Sequence, residues 1–258
     1  MNTVKSIIML CGAINFGQLA STMLHEFGHA VVSWATGGTV YRIVLNHYDL
    51  SYASCTAQEG PAEGMMLLGG AAFAVIVGLL LVGLGLEIRS PYLLPFTITG
   101  LLALFVNGVY YLGWRDPESN GDPARLIHDY GWPDWSITLL ALFFLLMALV
   151  SLPRIAPLLG ISPGDSIWKR WLVLLGGCLP YLVGILSYYD LLDLGHGLLP
   201  LLVWAGAGLV LWIVAGFSCL GQDKEAPVAR FGVAPLIYSL GMGILPFLVP
   251  MEYVFTPF

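Results

Sequence analysis

Seven uninterrupted apolar runs, each close to the length that crosses a bilayer, constrain this chain more than any other feature. They cover about 6–34, 65–86, 93–111, 135–152, 171–189, 198–219 and 231–249. A transmembrane helix needs about 20 consecutive apolar residues, and the last six runs contain no Asp, Glu, Lys or Arg. Only 10% of the 258 residues are charged, against about 25% in soluble domains, so an ordinary cytosolic enzyme is excluded. A disordered chain is excluded by the same balance. The net charge of -6 leaves no electrostatic footprint for nucleic acid. The expected fold class is an all-α polytopic membrane protein of about seven transmembrane helices, multi-pass and placed in the cell membrane.

The first run is too long for the apolar part of a signal peptide and is expected to remain as a helix, ending at Gly37-Gly38. After it, residues 39–57 hold two β-prone stretches around the polar turn Asn46-His47-Tyr48-Asp49, the pattern of a small β-hairpin. The Gly/Ala-rich stretch Leu68-Gly69-Gly70-Ala71-Ala72 lets helices approach closely in lipid. The longest polar connection, 114–134, carries Asp116, Glu118, Asn120, Asp122, His128 and Asp129. The four cysteines, Cys11, Cys55, Cys178 and Cys219, show no CxxC spacing, and three of them lie in apolar runs as small hydrophobes.

Within the first run stands His25-Glu26-Phe27-Gly28-His29. Residues four apart share a helix face, so two imidazoles can meet one metal ion while Glu26 holds a water against it. Zinc in such a site polarises a carbonyl and acidifies its water, and a carboxylate takes the proton. With five histidines and seven glutamates in the chain, chance produces H-E-x-x-H in roughly one such sequence in 400. Ionisable residues inside a span are costly and therefore functional by default. Asn15, Gln18, Thr22, His25 and His29 fall at 3,4,3,4 spacing and form one polar stripe facing the bundle or a water-filled cavity. For Asn15 and Gln18 interhelical hydrogen bonding is the expected role.

Two histidines do not complete a catalytic zinc site, which usually has three protein ligands. The third must share the membrane depth of His25 and His29, which points to the 114–134 connection and the hairpin. Asp122, in Asn120-Gly121-Asp122-Pro123, is the expected ligand, with Asp116 as competitor and His128 and His47 as more distant candidates. Asp116 stands beside Arg115, where pairing is the simpler fate. Asp122 has an alternative as the cap of a short helix that starts at Pro123.

These residues resemble the site-2-protease family of intramembrane zinc metalloproteases. The resemblance rests on HEFGH in an early span, the following Gly37-Gly38 and short β segment, a Gly/Ala-rich second span and an Asp-bearing stretch after the third, about Asn15 to Leu126. In the family the third-ligand stretch commonly has Asn and Pro upstream and Asp followed by Gly; here Asn107 lies upstream and Pro123 follows Asp122. The resemblance implies one catalytic zinc ion held by His25, His29 and Asp122, with Glu26 as catalytic base. It also implies cleavage of a peptide bond in or beside the transmembrane segment of a membrane-protein or peptide substrate. The chain reads as one integral membrane domain over 1–258, with a metalloprotease-like core to about 134 and additional transmembrane helices over about 135–258. A membrane scaffold or chaperone that keeps the metal site, and a transporter, are the alternatives.

Sidedness draws two opposed expectations. With seven spans, Lys5, Arg89, Arg154, Lys169, Arg170, Lys224 and Arg230 share the N-terminal side, against Arg42, Arg115 and Arg125 opposite. The positive-inside rule then puts the N-terminus in the cytoplasm and opens the site outward, whereas the family resemblance implies a site open to the cytosol. A cysteine introduced in the 114–134 connection should react with an impermeant maleimide in intact cells; reaction only after lysis would reverse the orientation.

Overall fold

The computed structural model describes residues 3–45, 51–57, 60–162, 164–188, 233–245, 248 and 252–254. The first run is a single helix, α1 (Thr3–Ala35). It stops where expected. Gly37 takes φ 76°, and the Gly38 N–H reaches back to the Ser33 carbonyl at 2.7 Å while the Gly37 N–H reaches Trp34. This left-handed close needs glycine at position 37 and satisfies carbonyls that would otherwise end the helix unpaired.

The chain then enters β1 (Val40–Val44) and β2 (Tyr52–Cys55), which pair antiparallel with Ile43 opposite Ala53. The expected hairpin is present, and it has a third strand. β3 (Glu252–Val254), from the far end of the chain, pairs with the other edge of β1, so the order is β2-β1-β3. Three residues beyond the last apolar run carry too little pattern to announce a strand. The 46–50 turn, including His47, lies outside the described residues.

The next three runs are α2 (Pro61–Ile88), α3 (Leu94–Gly113) and, after the short α4 (Asp122–His128), α5 (Asp134–Ile155). Among the described residues, α1, α2, α3 with its leading turn, and α5 with its trailing turn are long and apolar enough to cross a membrane. The chain is an integral membrane protein. The fifth run coincides with α6 (Ile167–Tyr188) and the seventh contains α7 (Val233–Ile244). The sixth, 198–219, lies outside the described residues.

Helices α1, α2 and α3 pack against one another, α5 covers α3, and α6 and α7 flank α1. Small residues set how near the helices come. A Cβ on Gly100 of α3 would lie 2.3 Å from the Gly78 carbonyl of α2, and one on Gly28 of α1 would lie 2.4 Å from the Gly69 carbonyl. In lipid, where apolar surface gains nothing from leaving water, such backbone approach supplies the packing energy that joins helices. Outward-facing residues such as Ile76, Leu80, Leu139, Phe143 and Leu146 stay exposed, as a hydrocarbon-facing surface requires.

The Gly78–Gly100 crossing gives a direct test. Gly100→Ala forces α2 and α3 apart and should cost about 1–3 kcal/mol by overpacking, read as a lower unfolding midpoint in detergent. An unchanged midpoint would mean that the two backbones are not in contact.

Candidate metal centre

The site grows from one face of α1. Being four residues apart, His25 and His29 stand one above the other, with ring centroids 4.8 Å apart and planes at 78°. Their outer nitrogens are engaged. His25 Nδ1 lies 2.8 Å from Asn107 Oδ1 on α3, and His29 Nδ1 lies 2.8 Å from the Met66 carbonyl on α2. The Asn107 amide donates its Nδ2 to the Ala103 carbonyl at 2.7 Å, which turns its oxygen toward His25. Both partners are acceptors, so each Nδ1 carries a proton and each Nε2 is directed to the interior, where a metal ion can take its place as partner.

Asp122 completes the arrangement. Its Oδ2 lies 3.1 Å from His25 Nε2 and 3.2 Å from His29 Nε2, and the two Nε2 atoms are 3.1 Å apart. Three acceptors converge on one point. A positive charge between them, a proton or a metal ion, draws the three atoms together, and one metal ion can be held by all three. Three ligands at zinc distances in a tetrahedral arrangement are about 3.3 Å apart, close to the separations here. His25, His29 and Asp122 are the group among the described residues that could hold a metal ion, and their donor set fits one. Burial pushes the Asp122 carboxyl up, but His29 and His25 outweigh it and hold it well below the usual carboxylate range.

Asp122 is the first residue of α4, with Gly121 in the capping position, and it does not cap the helix. The capping alternative is thus corrected: its carboxylate turns to the histidines instead. Asn120, at φ 51°, makes the left-handed turn that redirects the chain after the 3-10 turn Pro117–Ser119. Arg125 Nη2 then ties α4 to Glu63 on α2 at 3.0 Å. Asp116 is exposed and accepts the Glu118 N–H at 2.9 Å. Its expected pairing with Arg115 is also corrected, since the Arg115 guanidinium lies 3.0 Å from Asp134. His128 is exposed and meets the Arg115 carbonyl at 3.1 Å.

Glu26 is buried, between the histidine ladder and β2, with the Ala53 backbone N–H against its carboxylate. The sheet therefore borders the site. Cys55, also on β2, contacts the Met66 sulfur at 3.5 Å; burial, with Glu26 and Asp122 nearby, pushes its thiol up to about 11, so it stays protonated at neutral pH. Asn15 Oδ1 and Gln18 Oε1 are buried without a hydrogen-bond partner among the described residues, whereas Thr22 bonds the Gln18 carbonyl of its own helix.

Sequence reasoning passed over several contributors. Gly70 belonged to a recognised Gly/Ala stretch, yet its part at the site was not visible: a Cβ there would lie 2.4 Å from His29 Nε2 and 2.9 Å from His25 Nε2. Asn107 stood out as a polar residue in an apolar span, the signal that could have paired it with a histidine. The Met66 carbonyl left no signal at all, because backbone oxygens are not distinguished by sequence.

Residues 4–114 match the family model described as Peptidase M50B-like. The match supports the site-2-protease-like family, and with it a membrane metalloprotease in general. It spans α1 through α3 and ends before Asp122. Searches of curated proteins and of solved structures found no match.

Two substitutions separate ligand from bystander. Asp122→Ala should lose the metal from the purified, folded protein, because a missing ligand costs far more than the ~0.5–2 kcal/mol of a missing cap. Asp116→Ala should keep it. Gly70→Ala should also lose metal, since its methyl group invades the space between the two Nε2 atoms. Metal content by mass spectrometry after dialysis checks all three, and full retention in Asp122→Ala would remove Asp122 from the donor set.

Proposed function

We propose that the chain is a zinc-dependent intramembrane endopeptidase that hydrolyses a peptide bond in or beside the transmembrane segment of a membrane-protein or peptide substrate. The observation that carries this reading is the convergence of two Nε2 atoms and one carboxylate oxygen within 3.2 Å, with Glu26 beside them. Zinc, when bound by His25, His29 and Asp122, polarises the scissile carbonyl and makes water acidic enough to attack near neutral pH.

The chain's own residues do the rest. Glu26 takes the proton of the attacking water and returns it to the leaving nitrogen as the C–N bond breaks, leaving a carboxylate and an amine. Asn107 and the Met66 carbonyl hold each imidazole in the tautomer that a ligand needs. His25 is 22 residues along α1 from Thr3, and at about 1.5 Å per residue it lies roughly 9 Å past the helix midpoint. With α1 centred in a hydrocarbon layer of about 30 Å, the site sits below one surface.

A helical substrate must unwind there, because its carbonyls are engaged in its own hydrogen bonds. Among the described residues β2 is an edge strand next to Glu26, and an extended substrate can add to it as a strand. The site residues all fall within 1–134, so the helices of 135–258 act as surrounding support. The protein is placed in the cell membrane as a multi-pass protein.

Glu26→Gln keeps the shape of the site and removes the base. It should retain zinc and lose peptide cleavage by at least ~10²-fold, measured in detergent on a fluorogenic transmembrane peptide. Zinc in the wild type without cleavage would favour the scaffold reading, and a wild type free of metal under non-chelating conditions would overturn the proposal.

A further inference from the structure

Tyr110, near the end of α3, touches both halves of the donor set. Its ring meets the His25 imidazole edge-on, with centroids 5.9 Å apart and planes at 87°. Its hydroxyl accepts the Asp122 backbone N–H at 3.1 Å. That N–H belongs to the first residue of α4, one of the donors that a helix start leaves without an internal partner. A side chain at the helix start usually satisfies such donors, often an Asp. Here Gly121 has no side chain to offer, and the Asp122 carboxylate is turned to the histidines. The phenol of another helix takes over the role. Gly121 leaves it room, since a Cβ at that position would lie 2.9 Å from the Tyr110 oxygen.

From this geometry we infer that Tyr110 is a positioning residue for the metal: by satisfying the start of α4 from outside, it frees the Asp122 carboxylate to serve as third ligand. Without the hydroxyl, the Asp122 N–H is left without its partner, and the bare start of α4 draws the Asp122 carboxylate toward its own backbone donors. The ligand would then be divided between its own backbone and the metal. The ring contact orients His25 at the same time, so one residue couples a ligand from α1 to a ligand from α4. The inference rests on the metal reading above and adds a residue outside the donor set.

Cobalt(II) is the probe, titrated into the full-length protein in detergent and followed by its visible absorption, which reports ligand number and geometry. Tyr110→Phe keeps the ring and removes only the hydroxyl; it should bind cobalt about 10–100-fold more weakly, the usual size of a lost supporting hydrogen bond, with an altered spectrum. Tyr111→Phe is the control. That phenol is fully buried and donates to the Leu67 carbonyl at 3.3 Å without touching a ligand, so its loss should lower stability and leave affinity and spectrum unchanged. Gly121→Ala, which crowds the hydroxyl from the other side, should reproduce the Tyr110→Phe effect and gives an independent reading if Tyr110→Phe does not fold. Wild-type affinity and spectrum in either Tyr110→Phe or Gly121→Ala, or an equal shift in Tyr111→Phe, would overturn the positioning role. A wild type that takes up no cobalt would instead overturn the metal reading, and this inference with it.

Discussion

Three acceptor atoms held within 3.2 Å of one another form the interaction on which the rest of the site depends. Two imidazole lone pairs and a carboxylate oxygen repel one another unless a proton or a cation stands between them, and in a poorly hydrated interior that repulsion is strong. The protein nevertheless holds them together, because each is anchored from behind. Asn107 and Met66 engage the outer histidine nitrogens, while Tyr110 and the Arg125–Glu63 pair hold the segment that carries Asp122. These anchors arise on α2, α3 and α4, so the geometry of three side-chain atoms depends on much of the first half of the chain.

Close helix approach is the second condition. The histidines stand against Gly70, where no side chain could fit, and α1 meets α2 where Gly28 faces Gly69. Glycine usually weakens a helix through lost backbone entropy. In a membrane, with no water to compete for backbone hydrogen bonds, that cost is smaller than the gain from bringing the helices into contact. The glycines of α2 thus serve the packing of the bundle and the space for an ion with the same backbone surface.

The sheet links this centre to the far end of the chain. β2 lies beside Glu26 and is an edge strand among the described residues, while β3 covers the opposite edge of β1. A strand edge offers main-chain hydrogen bonds to an extended peptide whatever its side chains. The oxygens of Asn15 and Gln18, without partners among the described residues, continue the polar face of α1 away from the histidines.

The sequence by itself determined the membrane character, the helical runs, the end of α1 at Gly37-Gly38, the hairpin and the two histidines with their glutamate. Each follows from local information: apolar run length, glycine's access to positive φ, and the four-residue repeat of a helix face. Tertiary structure alone decided which carboxylate of the connection meets the histidines. Asp122 and Asp116 occupy the same polar connection, and nothing local ranks one decisively over the other, since both precede proline and both can start a helical turn. The left-handed turn at Asn120, the bare capping position at Gly121 and a phenol from α3 send Asp122 inward, whereas Asp116 stays at the surface with the Glu118 N–H. Arg115 likewise passed over its neighbour in sequence for Asp134. Adjacency along the chain sets which residues are available, but the direction in which a loop side chain points depends on backbone hydrogen bonds made by partners far away in sequence.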